Sequence, residues 1–352
     1  MKHACDQGAT PTPFAPLLAA FALPGLLMDA SQMKLVLFLA LPRVAFSFGV
    51  AASSRIRICV SPLRGKSGTM MLSSTSPSSS LMSSLSPTFD VFPLGTEINT
   101  QQERATKIVH FIRHAEGTHN VNQEYRSKIN LDAPLTEKGR QQCQELAQKI
   151  ATAQQGPLFQ LRESAEIIVT SPLTRCIQTA TLSFPSLLEK GIPMVAHEMV
   201  RETVNYNCDR RRTIQQITKE HAHIDYSHVN DNHDVIWDHY EKRFGCDETY
   251  TGHRESGEIH TVAERGRSFF EWLAKQPYKH VVVCTHSAFL RCIKNYGNNP
   301  EEGPLGVPLL PPQHGQPPEQ IVPVLNYKCD VLAQQMRQNY ENCELRSFLV
   351  AY

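Results

Sequence analysis

The sequence predicts an α/β fold, a three-layer sandwich whose mostly parallel central sheet is flanked by helices on both faces, with a helical insertion. Three observations predict it. Short apolar runs at 108–112, 165–169 and 280–285 read as buried strands. Segments with apolar residues at helical spacing separate them, and strand–helix alternation argues a parallel sheet covered on both sides. A polar stretch from Asn205 to Glu255, rich in His and Asp, interrupts the alternation.

The first 100 residues stand apart. From Ala30 to Phe89 there is no Asp or Glu, while Lys34, Arg43, Arg55, Arg57, Arg64 and Lys66 are basic, and 73–86 is nearly a serine tract. Residues 1–100 are therefore expected to be a disordered leader and targeting presequence, outside the fold. Leu35 to Leu41 is a short apolar core of signal-peptide length, with Ala45-Phe46 beyond it. The arrangement resembles the signal-plus-transit presequences of algae with complex plastids. That resemblance implies a plastid destination, otherwise a cytoplasmic one, and cleavage before about Ile98. The folded domain is expected over 105–352.

Within it, 108–112 forms the first strand and ends in Arg113-His114. Leu135-Thr136-Glu137-Lys138-Gly139 opens a helix with Thr136 as N-cap, and Gly139, Cys143, Leu146, Ala147 and Ile150 share one face. Gly156-Pro157 closes it. The second strand, 165–169, runs into Ser171-Pro172, an N-cap and first-turn proline that place Arg175 at the start of the next helix. Residues 192–200 make a weaker strand before Arg201-Glu202. The insertion holds helical pieces near 213–219 and 235–244. After Glu255-Ser256, Ile259, Val262, Gly266, Phe269, Phe270 and Leu273 pattern a helix that Pro277 ends. The β-branched run 280–285 delivers His286. A Pro/Gly-rich loop at 298–318 and strands near 320–327 and 343–350 complete the chain.

A +1 net charge gives no reason to expect nucleic acid or a membrane as partner. No apolar run has membrane-spanning length. Ten cysteines without a CxxC pair or zinc-like spacing predict buried free thiols and a reducing compartment. The histidines of the insertion match no compact metal site, so no cofactor or metal is expected.

Strand ends thus bring Arg113-His114, Arg175 and His286 to one sheet edge, where open α/β sheets bind ligands, and Glu202 follows a fourth apolar segment. Guanidinium forks suit a phosphate monoester. A neutral imidazole can attack phosphorus, a second, protonated, can donate to a phosphoryl oxygen, and a carboxyl group can shuttle the proton. The helix bearing Arg175 would add N–H groups at its start.

These motifs resemble the histidine phosphatase superfamily in its phosphoglycerate-mutase-like branch. The resemblance rests on Arg113-His114-Ala115 with Asn120, Leu135-Thr136-x-x-Gly139, Ser171-Pro172-Leu173-x-Arg175, Glu255-Ser256 and Thr285-His286. It implies His114 as phosphorylated nucleophile, Glu202 as proton donor, and Arg113, Asn120, Arg175 and His286 as the phosphate pocket. It implies no metal.

Cys208-Asp209-Arg210-Arg211 and Ile224-Asp225-Tyr226 resemble a mutase-like branch of plants and fungi. Ala115 stands where the family has glycine, which would compromise a backbone needing that residue. Ser287-Ala288 after His286 and Thr203-Val204-Asn205 after Glu202 favour a phosphatase over a mutase. The expected activity is therefore hydrolysis of a small phosphorylated metabolite or phosphoprotein. A phosphoglycerate mutase and an inactive phosphate-binding scaffold are the alternatives. Arg210 to Arg212 as a basic rim, and His253-Arg254 at the pocket mouth, are further expectations.

Overall fold

The computed structural model describes residues 87–98, 104–252, 254–255, 259–295 and 322–352. Most of the leader, His253, Ser256 and the Pro/Gly-rich loop lie outside them. The first half contains β1 (Phe89–Phe92), β2 (Thr106–Arg113), α1 (Glu137–Thr152), α2 (Gly156–Ser164), β3 (Ile167–Thr170), α3 (Thr174–Ser183) and α4 (Pro185–Glu189). Next come β4 (Met194–His197), α5 (Ile214–Glu220), β5 (Asp225–His228) and α6 (Val235–Phe244). The chain ends with α7 (Ile259–Lys275), β6 (His280–Thr285), α8 (Ser287–Asn295), β7 (Leu325–Tyr327), α9 (Asp330–Arg337) and β8 (Leu345–Ala351).

The strands form one sheet in the order β5-β4-β3-β6-β2-β8-β1-β7, in which only β8 runs against its neighbours. Alternate residues of a strand point to opposite faces. Val281 and Val283 of β6 accordingly join one core with α7, α8 and α9, while Val282 and Cys284 join another with α1, α3 and α4. Each face of the central strands is thus buried, as their unbroken apolar runs require. The predicted three-layer, mostly parallel α/β architecture is present.

Several elements differ from the sequence reading. The structure carries the folded region back at least to Phe89, whereas the sequence placed the boundary near 100. Phe89 and Val91 are buried, with Phe89 packed on Phe270 at 5.2 Å and Tyr352 at 5.4 Å between ring centroids. Arg104 and Lys328 pair with Asp90 from outside the strand. Four residues carry too little pattern to be read beside a serine tract, and the strands that pair with β1 are distant in sequence. Cleavage between Phe89 and Ile98 would cut into this strand or remove it.

Gly156-Pro157 begins α2 and does not merely end α1; its proline lies in the first turn. The insertion is not wholly helical either, since β5 pairs in parallel with β4 at the sheet edge. Its four residues, Asp225 to His228, alternate between exposed and half-buried and give no apolar run. Among the described residues, eight cysteines are free thiols, five of them buried, and no helix is long and apolar enough to cross a membrane.

Candidate active site

The register of three neighbouring strands assembles the site. β2 and β6 pair in parallel with Arg113 opposite Thr285, and the His114 N–H donates to the Thr285 carbonyl at 2.9 Å. On the other side of β6, Thr170 lies opposite Cys284. His114, His286 and the turn from Ser171 to Arg175 therefore leave the same edge together. A cavity of about 360 Å³ opens there, within the range of small-molecule sites. Arg113, His114, Asn120, Arg175 and Glu202 line it, five of the six predicted site residues.

The sixth, His286, does not line the cavity. Its ring is fully buried, 5.1 Å from that of His114, with Nε2 at 2.8 Å from Ser171 Oγ and 3.3 Å from Cys176 Sγ. Burial, followed by the charge of Arg175, depresses its pKa well below the ordinary value. The free protein therefore holds a neutral second histidine, where the sequence reading expected a protonated one.

His114 is equally withdrawn from solvent. Its Nδ1 is 2.7 Å from the Ala115 carbonyl, and a carbonyl can only accept. Nδ1 thus carries the proton and Nε2 keeps its lone pair. Burial first, then Arg175, His119 and Arg113, hold the ring well below its usual pKa. It is a neutral imidazole surrounded by positive charge.

Arg175 is 1 % exposed. Its Nη1 donates to the Cys208 carbonyl at 2.6 Å and its Nη2 to Asp209 Oδ1 at 2.9 Å, while Nε has no partner. Arg113 gives Nη1 to the Tyr340 carbonyl at 2.7 Å and likewise leaves Nε unmet. Buried polar atoms are ordinarily satisfied, and these two nitrogens, on side chains that line the cavity, are not. Asn120 Oδ1 accepts from the Gly117 N–H at 3.0 Å, which fixes the side chain without using its amide donors.

Glu202 is held by three backbone donors: Thr203 N at 3.0 Å, Phe289 N at 2.9 Å and Ala288 N at 3.2 Å. The last two belong to the first turn of α8, which starts immediately after His286. One helix start thus fixes both the carboxylate and the second histidine.

The remaining motifs serve the scaffold. Thr136 caps α1 by accepting from Gly139 N, and its own N–H donates to the Glu116 carbonyl at 2.9 Å. A Cβ at position 139 would stand 2.1 Å from that carbonyl; glycine lets α1 press against the loop that carries His114. Glu255 accepts from Val204 N at 2.7 Å and pairs with Arg265 at 3.1 Å, bracing the segment behind Glu202.

Ala115 causes no backbone strain. Positive φ among the described non-glycine residues is confined to Gln123, Asp132 and Cys343, and the Ala115 methyl is buried with Leu135 and Cys143. Of the expected N–H donors at the start of α3, that of Thr174 is already engaged, since Thr174 gives both N–H and hydroxyl to Asp132, at 2.8 and 2.6 Å. Helix α3 also begins later than Ser171, at Thr174.

The predicted basic rim is a set of ion pairs. Arg210 faces Asp238 and Glu241, Arg211 pairs with Glu198, and Arg212 bridges Asp132 and Glu220. Arg254 is buried against Asp247 and the Gly245 and Asn205 carbonyls, away from the cavity mouth. Among the described residues no cluster of three or more His, Cys, Asp or Glu is placed to hold a metal ion.

The profile of the histidine phosphatase superfamily (branch 1) matches residues 109–302, more than half of the chain. The chain belongs to that superfamily. Curated relatives with phosphoglycerate-mutase-like names are similar to it. "Phosphoglycerate mutase-like protein" of Arabidopsis thaliana is 27% identical over 69% of this chain and 84% of its own length. "Probable phosphoglycerate mutase" of the fungus Arthroderma benhamiae is 28% identical over 36% of this chain and 42% of its own. Among solved structures, the alpha-ribazole phosphatase of Shigella flexneri is 16% identical, covering 68% of this chain and 89% of that one, with a TM-score of 0.35.

Three further residues line the wall: the sequence left His119 open between a loop histidine and a ligand, and it did not bring Arg291 or Asp209 into the pocket. His119 is 4 % exposed, its ring 5.4 Å from His114, and its Nδ1 has no partner. Burial, then Arg175 and Arg113, keep it neutral. Arg291 lines the cavity with Nε unmet. Asp209 sits on Arg175. The run 208–211 was noticeable in the sequence, but nothing there places its acid on an arginine 34 residues away.

Proposed function

We propose that this protein is a phosphomonoesterase acting through a phospho-His114 intermediate. The observation that carries the reading is a buried, neutral His114 with its Nε2 lone pair free, beside unmet nitrogens of Arg113, Arg175 and His119. Nε2 attacks phosphorus, the bond from phosphorus to the ester oxygen breaks, and Glu202 gives that oxygen a proton. The carboxylate then takes a proton from water, whose oxygen displaces the imidazole and releases phosphate. Arg113 and Arg175 offset the charge growing on the phosphoryl oxygens, Asn120 donates to them, and His286 supports the phosphorylated ring from its neighbouring position. The cavity volume suits a small phosphorylated metabolite or one phosphorylated side chain of a protein.

Turnover of p-nitrophenyl phosphate and an acid-labile phosphoprotein are expected from the wild type, and neither from His114→Ala. Persistent turnover in that variant would overturn the mechanism. The names of the relatives favour a second reading, a phosphoglycerate mutase; isomerisation of 3-phosphoglycerate would establish it. Plastid delivery of the leader is proposed on sequence alone, and an uncut leader in the intact mass of the native protein would refute it.

A further inference from the structure

A second carboxylate stands inside this pocket, where negative charge works against binding an anion. Asp209 lies on the 3-10 turn Asn207–Asp209, 3 % exposed, and lines the cavity with Glu202. Its main chain is pinned: the N–H donates to the Tyr206 carbonyl at 2.8 Å, and its own carbonyl accepts from Arg201 Nη2 at 2.6 Å. Its Oδ1 accepts from Arg175 Nη2 at 2.9 Å and from the Cys208 thiol at 3.5 Å. The charged and titratable groups around it are thus Arg175, Arg201, Glu202, Tyr206 and Cys208, with His114, His119 and His286 grouped on the Arg175 side.

Two carboxyl groups, Glu202 and Asp209, therefore line the cavity that a phosphoryl group would enter beside Arg175, and in the proposed mechanism the proton for the leaving oxygen is on Glu202. They are not equally provided with donors. Glu202 is met by three backbone N–H groups. Asp209 has one guanidinium nitrogen and a weak thiol donor. Burial, opposed by Arg175 and reinforced by Glu202, already pushes Asp209 up to about 7. More negative charge beside it raises that value further.

We propose that Asp209 holds Arg175 in place in the free protein and takes up a proton from solvent when a phosphoryl group docks. It is a positioning residue that adjusts the charge of the pocket to its ligand. The inference rests on the reading of the cavity as a phosphoryl site.

Sulfate tests it, because this tetrahedral dianion does not titrate between about pH 6 and 9. Calorimetric titration near pH 8, in two buffers of different ionisation enthalpy, is expected to show close to one more proton bound per sulfate in the wild type than in Asp209→Asn. The wild-type Kd is expected to rise above pH 7 by about tenfold per pH unit. The Asn variant loses that slope, and Asp209→Glu, which keeps an acid, retains it. Equal proton uptake in wild type and Asp209→Asn would overturn the proposal while leaving the phosphoryl site intact. Should the Asn variant fold poorly, a wild-type Kd flat above pH 7 decides against it. No binding of sulfate at any pH would remove the phosphoryl site and this inference together.

Discussion

The two flanks of the cavity use arginine in opposite ways. On the strand flank, Arg113 has no carboxylate within ion-pair distance among the described residues, and Arg113 and Arg175 each leave Nε unmet on the cavity wall. On the insertion flank, Arg201 is fully buried with Asp234 at 2.7 and 2.9 Å and Glu198 at 3.3 Å, and Arg254 is buried against Asp247 at 2.7 Å. Arg201 also has an unmet Nε, yet it does not line the cavity and its charge is balanced twice over. Burial alone therefore does not separate a ligand-binding arginine from a structural one. Access to the cavity does: Arg175 is paired with Asp209 as Arg254 is with Asp247, yet only Arg175 lines the cavity.

Removing one arginine from each flank tests that distinction, and the insertion is expected to suffer more in stability. Arg201→Ala strands Asp234 without its partner in the interior, a change that costs about 3–5 kcal/mol. Urea unfolding is expected to show a loss of that size. Arg175→Ala is expected to lower kcat/KM by about 10²–10³-fold, the scale for losing a donor to developing charge. Its stability loss should be less than half that of Arg201→Ala, because Asp209, held near 7, can take a proton and become neutral. Equal stability losses would erase the difference between the flanks.

The strand flank also carries an acid sensitivity. His110 on β2 is fully buried, and burial brings its pKa down to about 3 from 6.5; His197 at the end of β4 is brought to about 4. Since the folded values are depressed, the unfolded chain binds more protons below about pH 6.5. Their contribution to stability is complete above that pH and is lost as pH falls towards 3 or 4. For His110 alone the slope approaches about 1.4 kcal/mol per pH unit. The urea midpoint is expected to be lower at pH 5 than at pH 7.5. An unchanged midpoint, or a pH dependence unaltered in His110→Gln, would show that this strand does not set the acid limit.

What could be read from the sequence follows the same division. The strands at the centre of the sheet were visible because burial on both faces forces continuous apolar runs, as in Val281-Val282-Val283-Cys284. Their ends located His114, Arg175 and Glu202 at the cavity without any knowledge of contacts. Elements held by distant partners were not visible. β1 is fixed by β7 and β8, more than 230 residues away, and β5 is a half-exposed edge strand without an apolar run. Electrostatic roles were hidden as well. Asp209 and Asp234 look alike as letters, and only the fold puts one on a cavity wall and the other beneath it.

Position 115 gives the smallest expected effect and the finest test of how tightly sequence pattern binds to chemistry. The family's glycine there suggests that alanine should injure the site. The two bonds that matter are made by the Ala115 backbone: its carbonyl accepts from His114 Nδ1 at 2.7 Å, and its N–H donates to Thr179 Oγ1 at 3.0 Å. Both survive in Ala115→Gly. Without positive φ to relieve, glycine adds freedom only to the unfolded chain, a loss of about 0.4–1 kcal/mol. It also removes a methyl group packed on Leu135 and Cys143, at about 0.8 kcal/mol. Ala115→Gly is therefore expected to unfold roughly 1–2 kcal/mol more easily and to keep the kcat of the wild type. A clear gain in kcat would mean that the methyl group restrains the nucleophile, and that the loop around His114 moves during the reaction.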